Sequence, residues 1–143
     1  MTADMFTQMR SAITLQRMLA NDKALRGEEY PKLLSAIDVI RFATIEGARG
    51  LKLDHKTGSL TPGKEADIIL LDANAINVAP LNHVPGAVVT LMERSNVSTV
   101  LCAGKIRKWQ GVLLGHDIGK LRAELEASRD FLIEAAGITP SRF

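Results

Sequence analysis

The chain has 143 residues, enough for one domain able to bury roughly two-thirds of its unfolded surface. With 46% hydrophobic and 24% charged residues it has the composition of a globular protein rather than a disordered one. A net charge of +2 is too small to mark a nucleic-acid surface, and aromatics at 4% leave the core to Leu, Ile, Val, Ala and Met.

Met5 to Ala20 reads as a helix with a broad buried face from Met5, Phe6, Met9, Ala12, Ile13 and Leu19. Thr2 or Asp4 caps its start, and Asn21-Asp22 is expected to end it. Lys23 to Lys32 is polar, carries Gly27 and Pro31, and reads as a loop. Ser35 opens a second helix: Ser35-Ala36-Ile37-Asp38 fits a capping box, in which hydroxyl and carboxylate satisfy backbone donors reciprocally. Ile37, Ile40, Thr44, Ile45, Ala48 and Leu51 form its apolar face. Gly47 and Ala48 are small enough for another backbone to approach, and Gly50 suits a left-handed cap.

A connector with exposed Asp54 and His55 leads to Gly58-Ser59-Leu60. Thr61-Pro62-Gly63-Lys64 then has Pro and Gly at the central positions of a type II turn, where Pro presets φ and Gly accepts a positive one. Ile68-Ile69-Leu70-Leu71, four apolar residues bounded by charge, predict a short strand covered on both faces. Residues 77–83 are irregular. Pro85 suits the first turn of a short helix over 86–93, broken by Ser95-Asn96. Val97 to Ala103 and Ile106 to Gln110 predict a hairpin turning at Gly104-Lys105, with Val100–Ala103 pairing Ile68–Leu71. The single cysteine, Cys102, is expected as a buried hydrophobe in that strand. Lys105, Arg107 and Lys108 around Trp109 fit a solvated hairpin edge better than an RNA platform. Asp117 caps a last helix, in which Ile118, Leu121, Leu125, Ser128, Leu132 and Ala135 repeat at three and four and Gly137 stops the helix. Glu124, Glu126 and Glu134 on it read as solvated charges.

The expected fold is therefore α+β, with about four helices and a small antiparallel sheet of about three strands. Residues 1–57 form a helical segment, 58–115 a β-rich segment with one short helix, and 116–143 the C-terminal helix, expected together as one compact unit.

Three pieces in order carry a resemblance: Ala43-Thr44-Ile45-Glu46-Gly47-Ala48-Arg49; Gly58 through Asp72, which reads GSLTPGKEADIILLD; and Val100-Leu101-Cys102-Ala103-Gly104-Lys105-Ile106. Together they resemble the C-terminal region of the amidohydrolase superfamily, in its cytosine-deaminase and triazine-hydrolase branch. The resemblance implies the last helices of a catalytic (β/α)₈ barrel and part of a small β-sandwich. It also implies hydrolysis of non-peptide C–N bonds, such as deamination of a nitrogen heterocycle, with zinc or iron making hydroxide from water. The family's ligands are a His-x-His pair, further histidines and a late Asp. This chain has only His55, His83 and His116, each in a different segment, so no catalytic, cofactor-binding or metal residue carries over. Asp4 reads as a helix-start residue, downstream of the family's metal-binding Asp.

No cofactor is expected in this chain itself, and zinc or iron only in an intact family member. The leading reading is a non-catalytic C-terminal part of an amidohydrolase, truncated or one half of a split enzyme. The alternatives are a free-standing self-associating module, and a small hydrolase whose site is unrecognised. Either of the first two leaves apolar faces uncovered. The expected partners are therefore further copies of the chain or the missing barrel portion, with no nucleic acid and no membrane. No apolar run approaches the length of a membrane span, and cytoplasm is the expected compartment.

Overall fold

The computed structural model describes residues 4–138. It divides into two compact units, Met1–Val112 and Leu113–Phe143. Helix α1 is Met5–Leu25. Helices α2 (Ala36–Arg41) and α3 (Gly47–Gly50) flank a π-helical turn at Phe42–Glu46 and run on as one rod. Helix α4 is Val84–Thr90 and α5 is Ile118–Ala135. Strands β1 (Ile68–Leu71), β2 (Val97–Cys102), β3 (Lys105–Trp109) and β4 (Val112–Leu113) form one sheet in the order β1-β2-β3-β4. The α+β fold, with four helical rods and a small antiparallel sheet, is as the sequence indicates, with a two-residue fourth strand added.

The helix starts follow local chemistry. Asp4 accepts from the backbone N–H of Thr7 at 3.1 Å and from its hydroxyl at 2.6 Å, which holds the carboxyl below its ordinary value. Thr2, the other candidate cap, lies outside the described residues. Ser35 and Asp38 form the reciprocal box, the Ser35 N–H donating to Asp38 at 2.8 Å. Asp117 accepts from the Lys120 N–H at 2.9 Å. The far end of α5 is a Schellman motif: Ile138 N–H donates to Ile133 O at 3.1 Å and Gly137 N–H to Glu134 O at 3.0 Å.

The helix ends are less local. Helix α1 runs through Asn21-Asp22 to Leu25, because Asp22 pairs with Arg26 one turn on, at 2.8 Å, and Asn21 accepts from the Tyr30 hydroxyl. The α2–α3 rod ends with Lys52, not Gly50, in the left-handed region, at φ 58°. Its core residues are Val39, with Ala36, Ile40 and Ala43 packed beside it, while Ile37 is exposed. The π turn adds a residue to one turn, so a single 3.6 period drawn across 37–51 misplaces the buried face.

The core of the first unit is a helical layer: Phe6, Met9 and Ile13 of α1, Val39 of α2, Ala87 and Val89 of α4, with Val78 and Met92 from the flanking loops. The sheet reaches it only through Leu71 and Val97, and polar bonds make the remaining ties. Asn96 is 2% exposed, and its amide is fully engaged. Its Oδ1 accepts from Glu93 N–H at 3.0 Å and Asn77 Nδ2 at 2.9 Å; its Nδ2 donates to Asp72 O at 3.3 Å and Asn77 Oδ1 at 3.2 Å. Asn77 Nδ2 also reaches Leu91 O at 3.0 Å. Arg10 of α1 donates to Val89 O in the last turn of α4 and to Met92 O just past its end, satisfying carbonyls the helix leaves without partners.

The strand β1 is paired antiparallel to β2, Ile68 opposite Leu101 and Ile69 opposite Val100, the pairing the pattern predicts. It is not covered on both faces. Ile69 and Leu70 are 52% and 50% exposed, because β1 forms the sheet edge and only Leu71 joins the core. Cys102 is likewise exposed rather than buried, standing at the strand's end beside the turn. The turn falls one residue earlier than the pattern predicts, at Ala103-Gly104 with Lys105 already in β3, and its φ of 48° and 76° give the conformation of a two-residue type I′ hairpin.

Asp67 holds the hairpin in place. Its carboxylate accepts from Ala103 N–H at 2.7 Å and from the Thr57 hydroxyl at 2.9 Å, and both bonds hold it below its ordinary value. The type II turn ahead of it forms as expected, with Lys64 N–H donating to Thr61 O and Gly63 at φ 90°. Gly58 lies across the α2–α3 rod at φ 86°; a Cβ there would sit 2.8 Å from the Ala48 Cβ and 3.0 Å from the Ile45 Cα. Small Ala48 and side-chain-free Gly58 thus let two backbones cross.

Three outcomes are expected. Gly58→Ala meets backbone at a positive φ and lowers stability by about 2 kcal/mol in urea denaturation; an unchanged midpoint would remove the crossing constraint. Asn96→Ala strands the Asp72 carbonyl, the Glu93 amide and the Asn77 side chain, and costs about 3 kcal/mol by the same measurement. The Asp67 contribution is complete above its ordinary value of 3.8 and is lost as pH falls through its lowered folded value. Asp67→Asn therefore reduces stability at neutral pH and flattens the acid limb of a stability–pH curve.

Candidate functional site

The titratable groups that chemistry would need are dispersed. His55 lies exposed in the connector and His116 is exposed before α5. His83, itself exposed, caps α4: its Nδ1 accepts from the Gly86 N–H at 3.0 Å, so that nitrogen is taken up by the helix start. The cap was not anticipated, although a His two residues before a Pro in a first helical turn is a usable signal. Asp4, Asp38 and Asp117 are spent on helix starts and Asp67 on the hairpin.

Glu46, on the π turn, sits between Arg49 at 2.8 Å and Arg41 at 3.2 Å. Hydrogen bonds from both guanidiniums hold it below its ordinary value. Arg49 also lies 3.8 Å from Asp54. This is a solvated ion-pair group that fixes the end of the rod; it presents no unpaired base or nucleophile.

Two concave surfaces are shallow and apolar, and a third, over Glu93, Arg94 and Ser95, is polar and open. One groove of about 240 Å³ runs between α1 and α2, lined by Met5, Met9, Ala12, Phe42 and Ala43. A second lies along α1 itself, over Arg10, Leu15 and Met18. Neither gathers polar groups as a small-molecule site does. Among the described residues no three His, Cys, Asp or Glu side chains are grouped to hold a metal ion, and no helix is long and apolar enough to cross a membrane.

A model of the amidohydrolase family matches residues 1–107. A 5'-deoxyadenosine deaminase from Methanothermobacter thermautotrophicus is 36% identical over 110 residues, which is 77% of this chain and 23% of that protein. A 5-methylthioadenosine/S-adenosylhomocysteine deaminase from Desulfitobacterium hafniense is 33% identical over 123 residues, 86% of this chain and 26% of that protein. Among solved structures, an adenosine deaminase from Xanthomonas campestris with bound zinc superposes with a TM-score of 0.76 at 33% identity, over 88% of this chain and 27% of its own. An atrazine chlorohydrolase, TrzN, from Arthrobacter aurescens, complexed with zinc, gives a TM-score of 0.71 over 85% of this chain and 25% of its own; at 19% identity it shares the fold. The chain spans about a quarter of the length of the relatives it matches.

The zinc of those structures asks for clustered, deprotonated N, O or S donors with an open position. The donors described here do not fit it. One histidine nitrogen is engaged by a backbone amide, and four carboxylates are engaged in caps and a hairpin. The matched model, the order of the three sequence pieces and the superposed fold agree, and the chain belongs to the amidohydrolase family.

Proposed function

We propose that this chain is the C-terminal, non-catalytic portion of a metal-dependent deaminase that hydrolyses the exocyclic amino group of an adenine nucleoside. In that reaction water adds at the amino-bearing carbon, the C–N bond breaks, and ammonia leaves with a proton from the water. The observation that carries the reading is the pair of deaminase relatives at 36% and 33% identity, matched over only 23% and 26% of their lengths. The metal-binding and substrate-binding groups belong to the barrel portion of such an enzyme, and this chain contributes packing. The groove between α1 and α2 and the outer face of α1, with Leu15 and Met18 exposed, are the surfaces the barrel portion would cover. The compartment we assign is the cytoplasm, where Cys102 would stay a thiol.

The test pairs this chain with the preceding portion of the Desulfitobacterium deaminase, by fusion and by co-expression. Zinc content and ammonia release from 5-methylthioadenosine and 5'-deoxyadenosine are then measured. The chain alone is expected to bind no stoichiometric zinc and release no ammonia, and the combined protein to do both. Turnover by the chain alone would overturn its non-catalytic role. A combined protein that binds zinc but leaves both nucleosides intact would remove the substrate class.

A further inference from the structure

Helix α5 carries an exposed apolar seam. None of its residues is buried. Ile118, Leu121, Leu125, Ser128, Leu132 and Ala135 are spaced three, four, three, four and three, which places Ile118, Leu125 and Leu132 at heptad position a and Leu121, Ser128 and Ala135 at d. The four large ones are between 48% and 63% exposed. The flanking positions decide what covers the seam. Position g holds Asp117, Glu124 and Phe131; position e holds Arg122, Arg129 and Ala136. In a parallel pair of identical helices, each g residue meets the partner's e residue five positions on. Asp117 then faces Arg122, Glu124 faces Arg129, and Phe131 covers Ala136. An antiparallel pair would set g against g and e against e, bringing Glu124 to Glu124 and Arg122 to Arg129.

From this juxtaposition we infer that α5 is a self-association surface whose occupant is α5 of a second copy, wound against it as a short parallel two-stranded coiled coil. Ile118 at a with Leu121 at d is the two-strand choice. Small Ser128 and Ala135 at d bring the backbones close and keep the association weak and concentration-dependent. Asp117 also caps α5 through one carboxylate oxygen, on the Lys120 N–H; Glu124 and Arg129 have only exposed local contacts to give up, with Lys120 at 3.8 Å and Asp130 at 2.7 Å, and such pairs hold little energy. The surface is independent of which reaction the intact enzyme performs.

Sedimentation velocity of the whole chain over a concentration series tests it. The chain is expected to pass from monomer to dimer, and Leu125→Glu to stay monomeric. Glu124→Arg places arginine against arginine in both symmetric pairs and should raise the dimer Kd about tenfold; Glu124→Arg with Arg129→Glu should restore it. All these side chains are exposed, and unchanged circular dichroism will confirm that the fold is kept. Orientation is read in a Cys102→Ser background. Ser128→Cys, at a d position, should cross-link into a disulfide dimer on mild oxidation. A monomer at every concentration, a Leu125→Glu dimer as strong as the parent, or a charge swap without rescue would overturn the inference. A dimer that does not cross-link through position 128 would overturn its parallel form.

Discussion

The first unit depends on a buried amide. Asn96 is nearly solvent-free, and four hydrogen bonds tie it to three separate stretches of chain: the exit of β1 at Asp72, the loop at Asn77 and the turn at Glu93. A carboxamide suits this position because it presents two donors and two acceptor lone pairs in one plane. Aspartate would lack the donors for Asp72 O and Asn77 Oδ1. Few apolar side chains of the sheet enter the helical core, so these directional bonds, with those of Arg10 to Val89 O and Met92 O, decide where the sheet sits on the helices. Leaving any of them unmade in a dry site is more costly than the bond is stabilising, and that makes the arrangement specific.

The residues that mark the family have reasons of the same kind. Gly58 is glycine because the connector crosses the α2–α3 rod within contact of Ala48 and Ile45. Pro62 and Gly63 shape the turn that brings Asp67 alongside Thr57 and the Ala103 amide. Ala103 itself stands at φ 48°, an uncommon position for a residue with a Cβ, and the Asp67 bond offsets that cost locally. Each marker therefore answers a folding demand. A motif of this sort identifies the lineage and the architecture.

What was legible in the sequence follows the range of the interaction. Caps at Asp4, Ser35 and Asp117, the type II turn and the Gly137 stop each involve partners within five residues, and all were readable. The β1–β2 pairing was readable too, since apolar runs of matching length find each other. The exposure of Ile69, Leu70 and Cys102 was not, because four apolar residues in a row look alike whether a second layer covers them or not. The buried face of α2 was displaced by the π turn, which no period of 3.6 contains. Asn96 read only as the residue that breaks a helix, and Arg10 carried no marked role. Apart from the Glu93 amide, three residues from Asn96, their partners lie 19 to 24 and 79 to 82 residues away, and no local pattern announces those. The absence of a candidate metal cluster in the reading of the sequence rested on spacing, and the folded positions of the histidines add that His83 has a structural task.

Exposed apolar side chains alone do not name a partner, and the two units differ in this respect. On α1, Leu15, Met18 and Leu19 are open, yet the charges near them form no repeating pattern, so the surface specifies area and little else. On β1, Ile69 and Leu70 stand at a free edge whose backbone would accept many strands. On α5 the apolar spacing holds for eighteen residues, and acids and bases alternate beside it in the one register that two parallel copies would neutralise. A second copy in that register supplies Asp117 and Glu124 as the acids that match Arg122 and Arg129 along the margin. Selection for helix formation alone would place such charges four apart along one face, as Lys120 and Glu124 are. A five-residue offset between acid and base supports nothing within a single helix, and its recurrence from Asp117 to Arg122 and from Glu124 to Arg129 points across to a second one.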